Sequence, residues 1–363
     1  MKTITRYILK EFLSIFLLSL TAFITLYLLI DFFEKIDDLV EHNVTTLEVF
    51  QFFLYKIPLI FYQVAPVAIL LSTLLSLSLL SRHHEITAIK SSGISILRVT
   101  IPILISAIVV SIISFIVNEE IAPVTNQRVE DIKQTKVEGK TDTIAFQQGR
   151  FWYRGDGVIY SISYLDPKRN TIKGLTLYEM DRDFNPTKRI DAQEAVWVNG
   201  KWVVKNGFLT EFRTGEAGRI TPITIPISGW ILRLSEGPEG FKRVERLAEE
   251  MGFKELQGYV KRLKREGYNP TRYTVDLYNK VSFPVVSVIM ALIGIPFAVK
   301  GGRHSGIATG VGLSFIIGFS YWVIFAINTS LGYSGLIPPL VASWATNIIF
   351  AAMGVLMFTY VRQ

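Results

Sequence analysis

Long apolar runs separated by short polar segments dominate the pattern of this chain. A helix needs about 20 apolar residues to cross a bilayer. The last run is long enough for two crossings, and it is interrupted at "LGYSGLIPP", where glycines and prolines end helices. We therefore predict six membrane-spanning helices, because the helices of a soluble core are usually shorter and amphipathic. The uncharged runs are Phe12–Ile30, Ile57–Ser81, Val99–Val117, Val281–Val299 and Ser305–Val361.

The segment between the third and fourth spans has a different pattern. Short runs rich in β-branched and aromatic residues alternate there with turn signals such as "GDG" and "DPKRN", which predicts seven or so strands. Asn199-Gly200 suits a two-residue type I′ hairpin turn, with Trp197 and Trp202 within reach of each other across it. Strands without intervening helices predict a sandwich, a jelly roll or a barrel.

Helical patterns flank this β region on both sides. Glu119–Gly139 is polar with helical spacing and is expected to extend the third span. Before the fourth span, a helix is predicted in which four apolar residues recur at helical spacing and which Gly267 and Pro270 end. Those four residues are Leu256, Tyr259, Val260 and Leu263.

The predicted organisation has three parts. Residues 1–118 form a first half of three spans, and residues 277–363 form a second half of three spans. Between them, residues 119–276 form an inserted domain, with a β region at about 140–235 and a helical return at about 241–267. The fold class predicted is thus an α-helical membrane protein with an inserted, all-β, jelly-roll-like domain.

The first apolar run could also be read as a signal peptide, because basic residues precede it. No small-residue cleavage site follows it, however, and the run continues into Asp31-Phe32-Phe33-Glu34. We therefore interpret it as an uncleaved first span.

The distribution of lysine and arginine in short loops predicts the orientation in the membrane. With six spans, four basic segments fall on the same side, and the loop Asp31–Glu48 on the opposite side is acidic apart from Lys35. Both termini should therefore be cytoplasmic and the β domain extracytoplasmic. The basic segments contain Lys2, Arg6 and Lys10; Arg82, Lys90 and Arg98; Lys300 and Arg303; and Arg362.

Charge and cysteine content add little to this picture. The chain has a net charge of +7, but most of its basic residues lie in Glu119–Asp276 beside nearly as many acids, so we expect no nucleic-acid partner. The chain has no cysteine, which excludes disulfide and thiolate chemistry and fits any compartment.

Candidate catalytic and metal motifs fail on their spacing. "HHE" at His83–Glu85 resembles the start of a zinc-protease helix, but the second histidine would fall at Ala88. Gly139–Thr141 reads "GKT", like the end of a phosphate-binding loop, but Gln134 stands where that loop needs a glycine. We expect a non-enzymatic chain without a metal or a cofactor of its own.

The loop "SRHHEITAIKSSGIS" between spans two and three can form a short helix at about 82–93. On this helix Glu85, Ala88, Ile89 and Ser92 share one face, and Gly93 suits a C-terminal cap. A soluble motor protein could bind such a helix. It could equally be an ordinary amphipathic loop helix that rests on the membrane.

Several segments in a fixed order resemble the lipopolysaccharide-transport permease family LptF/LptG. They are "RYILKEF" at the start, "RHHEITAIKSSGIS" after span two, "NEEIAPVTNQ" after span three, "GYVKRLKREGYNPTRYTVDLYNKVSFPV" before span four and "GLIPPLVASW" before span six. The resemblance covers essentially the whole chain, and the "YVKRLKREGYNPTRY" and "IPP" segments are more similar to the LptG branch.

The resemblance implies a permease of the bacterial inner membrane that helps to extract lipopolysaccharide. It implies a sister permease (LptF if this chain is LptG), a cytoplasmic ATPase dimer that binds the ATP, and an LptC-like periplasmic jelly-roll protein that receives lipopolysaccharide. It also assigns the loop helix to ATPase coupling. Carried onto this sequence, Glu85 is the charged contact, and Ile86, Ala88 and Ile89 are candidate packing residues.

An anionic glycolipid would need basic residues near the outer membrane surface. Lys35, Lys56 and Lys280 lie closest to the outer ends of spans one, two and four, and Arg128 follows span three. These side chains could instead only extend toward lipid headgroups. Two other functions remain open: a permease that transmits ATPase motion without binding lipid, and a membrane-anchored β-domain scaffold without a transport role.

Overall fold

A computed structural model provides the fold of the chain. It describes residues 2–42, 44–133, 143–147, 150–155, 158–166, 169–181, 185–214, 220–232, 234, 237–238, 251–265, 269–300 and 307–361. Its contacts divide the chain into two units. The first combines Met1–Val137 with Thr271–Gln363, and the second is Glu138–Pro270.

The first unit is built from helices. A π-helical turn, Val117–Ile121, joins α4 to α5 without a break, so the third span continues as a helix beyond its apolar part. The helices of this unit are α1 (Lys2–Glu41), α2 (Thr46–Arg82), α3 (Glu85–Ser91), α4 (Ile96–Ile116), α5 (Ala122–Ile132), α7 (Thr271–Lys300), α8 (Ile307–Tyr333) and α9 (Pro339–Val361).

Six helical segments of the described chain are long and apolar enough to cross a membrane. They are Thr3–Asp37, Thr46–Arg82, Arg98–Glu130, Thr271–Val299, Gly310–Tyr333 and Pro339–Thr359. The prediction of six spans is therefore confirmed. The predicted break in the last apolar run is also present, because α8 ends at Tyr333, α9 begins at Pro339 and Gly335 between them has a φ of +78°.

Helices α2 and α7 form the centre of this unit. In the most apolar part of each, 72% of the residues are buried inside the protein, compared with 11% in α1. Gly294 of α7 permits their close approach, since a Cβ atom there would lie 3.0 Å from the side chain of Thr73 in α2. The remaining spans pack around this pair and expose large apolar side chains, as expected for helices in contact with lipid tails.

A buried polar network joins the last three spans. The Tyr321 hydroxyl of α8 donates a hydrogen bond to Asn347 of α9 over 2.5 Å, and the Asn347 amide donates to the carbonyl of Ser282 in α7 over 2.7 Å. Because no water is available at this depth to replace such bonds, the network favours one arrangement of the three helices.

The second unit contains an antiparallel sheet of eight described strands and one described helix, α6 (Phe253–Arg265). The first seven strands neighbour one another in chain order, and β8 pairs with β6. This confirms the prediction of an all-β region between spans three and four. The strands are β1 (Thr143–Gln147), β2 (Arg150–Gly155), β3 (Val158–Asp166), β4 (Thr171–Met180), β5 (Pro186–Val198), β6 (Lys201–Thr214), β7 (Ile220–Ile227) and β8 (Trp230–Leu232).

The hairpin between β5 and β6 forms as predicted. Asn199 and Gly200 both have positive φ, at +50° and +79°, as a type I′ turn requires. Trp197 and Trp202 are paired across the strands with ring centroids 5.2 Å apart.

Aligned apolar side chains across the sheet form the core of the second unit. Tyr160, Leu177, Ile190 and Leu209 are register partners along β3 to β6, and all four are buried. Helix α6 is held to this core by its Tyr259 hydroxyl, which donates to the carbonyl of Ser163 over 2.9 Å. The four apolar positions predicted for this helix are buried, namely Leu256, Tyr259, Val260 and Leu263.

Candidate functional site

The loop between α2 and α4 forms the predicted short helix, α3, with sharp turns at both ends. The helix covers Glu85–Ser91, which is shorter than the predicted 82–93, because His84 adopts a positive φ of +59° just before it. Gly93 has a φ of +78°, and the amide of Ile94 donates to the carbonyl of Ile89 over 3.3 Å. This is the hydrogen-bond pattern of a glycine C-cap, as predicted.

Helix α3 has an inner and an outer face. Ile86 is only 6% exposed and belongs to the core of the helical unit, and Ile89 packs against that core while partly exposed. Thr87 and Ala88 face outward. Among the predicted coupling residues, Ile86 thus anchors the helix to the chain's own core, while Ala88 lies on the surface.

Glu85 is held by the first helix. The Tyr7 hydroxyl of α1 donates to the Glu85 Oε1 atom over 3.3 Å, and this contact joins residues 78 positions apart in the chain. Tyr7 itself is 47% exposed, so the contact lies at the surface. A carboxylate can accept several hydrogen bonds, and Glu85 therefore keeps capacity for a donor from another protein.

Two of the predicted phosphate-binding lysines lie together toward the C-terminal end of α1. The Lys35 Nζ atom is 2.7 Å from one carboxylate oxygen of Asp31, and the Lys56 Nζ atom of α2 is 2.5 Å from the other. Lys56 also lies 4.6 Å from the centre of the Phe52 ring. Two ammonium groups and one carboxylate leave these three side chains with one positive charge in excess.

The three residues of this group, which we call the Asp31 cluster, differ in exposure. The side chains of Asp31 and Lys56 are 9% and 14% exposed, whereas that of Lys35 is 39% exposed. Lys35 is therefore the member of the Asp31 cluster that an external anion reaches most easily.

The other two predicted lysine and arginine positions lie outside the Asp31 cluster. Lys280 is a buried residue of α7, and Arg128 is an exposed residue of α5. In the described part of the chain, neither forms an ion pair or hydrogen bond with Asp31. The four predicted positions thus do not form a single binding group.

Asp31 is the member of the site that the sequence analysis missed. Its four-residue spacing to Lys35 is a helical ion-pair signal that was available from the sequence. Its pairing with Lys56 was not available, because the two residues are brought together only when α1 and α2 pack side by side.

The two sites present different charges. The described residues contain no group of three or more histidine, cysteine, aspartate or glutamate side chains that could hold a metal ion. At one end of α1 a partly exposed carboxylate is placed on a short helix, and toward the other end a cationic cluster lies between two apolar spans.

Comparison with known proteins identifies the family. The model of the lipopolysaccharide export system permease family LptF/LptG matches residues 6–360. The chain is 22% identical to the lipopolysaccharide export system permease protein LptG of Escherichia coli K12 over 95% of this chain and 94% of that protein. It is 21% identical to LptG of Haemophilus influenzae over 97% and 96% of the two chains.

A further relative is an uncharacterized protein of Aquifex aeolicus, 23% identical over 80% of each chain. The resemblance drawn from the sequence motifs is confirmed by the family match, which covers both the spans and the β region. The chain therefore belongs to the lipopolysaccharide export system permease family LptF/LptG and is a permease of that system.

Proposed function

We propose that this chain fills the LptG position in an ATP-driven complex that extracts lipopolysaccharide from the bacterial inner membrane. Both termini and α3 lie in the cytoplasm, and the β unit lies in the periplasm, where it passes lipopolysaccharide to an LptC-like jelly-roll protein. The sister permease is LptF-like. ATP is bound and hydrolysed by a cytoplasmic ATPase dimer, so the permease itself is not an enzyme and needs no cofactor.

The observation that carries the proposal is the placement of α3. Its inner face is anchored by Ile86, and its outer face presents Ala88 beside Glu85. A helix fixed on one side and open on the other transmits a push from a bound ATPase to the spans at both of its ends. The carboxylate of Glu85 contributes the charged contact, and Ala88 and the exposed part of Ile89 contribute packing.

The test is charge reversal on α3. We expect Glu85→Lys to lower ATP-driven lipopolysaccharide release by at least about tenfold. The substitution replaces an attractive charge pair with the ATPase, at the rim of the interface, by a repulsive contact between like charges. Release is measured in proteoliposomes, and ATPase co-purification is measured alongside it. Glu41→Lys, a charge reversal at an exposed position at the end of α1, is the control and should have no effect.

A second variant separates packing from charge. Ala88→Trp places a large side chain on the outer face of α3 and should weaken ATPase binding while leaving the fold intact. Normal ATPase binding and normal release in both Glu85→Lys and Ala88→Trp would disprove the docking assignment.

Lipid binding by the chain itself is the second part of the proposal. The phosphate groups of lipopolysaccharide contact Lys35 first and then Lys56, which competes with Asp31 for the anion. Lys280 and Arg128 provide further basic positions along the spans. Extraction rate and substrate affinity are to be measured for the alanine variant of each residue. A residue whose variant has the wild-type rate and affinity does not bind the phosphate groups.

A permease that transmits ATPase motion without binding lipid is the alternative candidate. It is favoured by the ion pairs of Asp31 with both lysines, since these charges are already partly neutralised within the chain. Photo-crosslinking of lipopolysaccharide from position 35 distinguishes the two functions. A crosslink supports lipid binding, and its absence during ATP turnover supports motion transfer alone.

A further inference from the structure

A cleft of about 250 Å³ lies between the start of α1 and the start of α4. Its walls are apolar and include Ile4 of α1 and Ile101, Pro102 and Ile105 of α4. Arg98, at the beginning of the third span, is the charged residue that lines it. The cleft thus combines one cationic group with an apolar wall.

We propose that this cleft binds an anionic phospholipid, with the headgroup phosphate on Arg98 and one acyl chain along α4. The guanidinium group suits this role because its planar donors match the oxygens of a phosphate. Arg98 is exposed, and none of the ion pairs among the described residues involves it. Its charge is therefore available to a ligand.

The acyl chain has a continuous surface to follow. From the cleft onward, exposed isoleucines recur every three or four residues along α4, so they form one stripe on the outer face of the third span. These residues are Ile101, Ile105, Ile108, Ile112 and Ile116. An exposed apolar stripe on a spanning helix lies against lipid tails, and the cleft places the headgroup of one such lipid at a defined position.

Charge decides which lipid is bound. The cleft opens at the end of the spans where the short loops carry lysine and arginine, which is the cytoplasmic side by the distribution of charge. Anionic phospholipids supply the negative surface of that leaflet, and basic sites between spans bind their headgroups. A zwitterionic phospholipid carries its own cation and gains less from a single guanidinium.

The position of the cleft connects it to α3. Ile94 lines the cleft, and its amide makes the C-cap hydrogen bond to Ile89 of α3. A lipid in the cleft therefore contacts the segment that ends α3 and begins α4. Binding of the lipid does not depend on the proposed ATPase docking, and it is measured without ATP.

The test uses the full complex in nanodiscs of phosphatidylcholine that contain a small fraction of diazirine-tailed phosphatidylglycerol. After illumination, labelled peptides are identified by mass spectrometry. We expect the segment of residues 94–105 to be labelled, at least about fivefold more strongly than by diazirine-tailed phosphatidylcholine at the same fraction. Equal labelling by the two probes would overturn the proposal without requiring any variant.

Two pairs of variants sharpen the test. Arg98→Gln should reduce phosphatidylglycerol labelling severalfold, whereas Arg82→Gln, which changes an exposed arginine at the same membrane side outside the cleft, should not. Ile101→Trp fills the cleft and should also reduce labelling. Ile316→Trp is its control, because Ile316 is an exposed isoleucine of α8 that belongs neither to the cleft nor to the α4 stripe. Unchanged labelling in Arg98→Gln would overturn the proposal.

Discussion

The two polar sites on α1 differ in how their charges are balanced. In the Asp31 cluster, a carboxylate and an ammonium group are both largely removed from solvent and pair directly, 2.5 Å apart. At the other site, the partner of Glu85 is a neutral hydroxyl, 3.3 Å away and at the surface. A buried charge requires a partner within the chain, whereas an exposed charge remains available to another protein. The comparison predicts that Asp31 stabilises the fold, and it supports the proposed contact of Glu85 with another protein.

The largest expected effect is on stability at the Asp31 cluster. Asp31→Ala leaves Lys56 without its carboxylate between two spans, so we expect a loss of about 3 kcal/mol, the usual cost of breaking a buried pair from one side. Thermal unfolding of the purified complex in detergent measures it. Adding Lys56→Met removes the unpaired ammonium group and should recover most of the lost stability. If stability is not recovered, the unpaired charge is not the cause of the loss.

The next effect separates the two lysines. Lys56→Ala should destabilise the protein by about 2 kcal/mol, because it removes a largely buried partner of Asp31 together with packing on Phe52. Lys35→Ala should cost about 0.5 kcal/mol, the range of exposed ion pairs on one helix. Equal losses of stability in Lys56→Ala and Lys35→Ala would show that the different exposure of the two lysines does not affect their contribution to stability.

A smaller effect on stability is expected at the exposed site. Glu85→Gln keeps the shape of the side chain and an acceptor for Tyr7, so unfolding should change by about 0.5 kcal/mol or less, as for most surface substitutions. ATP-driven lipopolysaccharide release should still fall, because the variant removes the charged contact with the ATPase. A large fall in stability would instead assign Glu85 a structural role like that of Asp31.

The smallest effect is expected from Tyr7→Phe. The hydroxyl only orients Glu85, and its loss should lower ATP-driven release about two- to threefold without shifting the unfolding temperature. In the Glu85→Gln background, Tyr7→Phe should have no further effect, because the two residues act through one contact. Additive effects of the two substitutions in the release assay would separate their roles.

Elements with strong local signals were predictable from sequence. The hairpin at Asn199-Gly200 was identified because its turn needs two residues with positive φ, which this pair tolerates. Helix α6 was identified because its apolar positions follow the 3.6-residue period, and all four are buried. Strand β8 was not predicted, since three residues are too short to show a period, and its pairing with β6 forms it.

Helix α3 shows where such prediction stops. Residue spacing placed Glu85, Ala88, Ile89 and Ser92 on one face and Gly93 at the cap. The structure confirms the helix and the cap, but Ile89 packs against the core while Ala88 is exposed. The inward position of Ile86 and the contact of Glu85 with Tyr7 depend on how α1, α3 and the core pack, which no local pattern records.

The sequence by itself determined the six spans, the β region between spans three and four and the family, because apolar length, residue period and motif order are properties of short stretches of chain. Only the tertiary structure decided which charges meet. Asp31 pairs with Lys56 across 25 residues, and Tyr7 contacts Glu85 across 78. Both contacts arise from the lateral packing of helices whose apolar surfaces are nearly uniform. The sequence of one helix therefore does not predict which residue of the other helix it contacts.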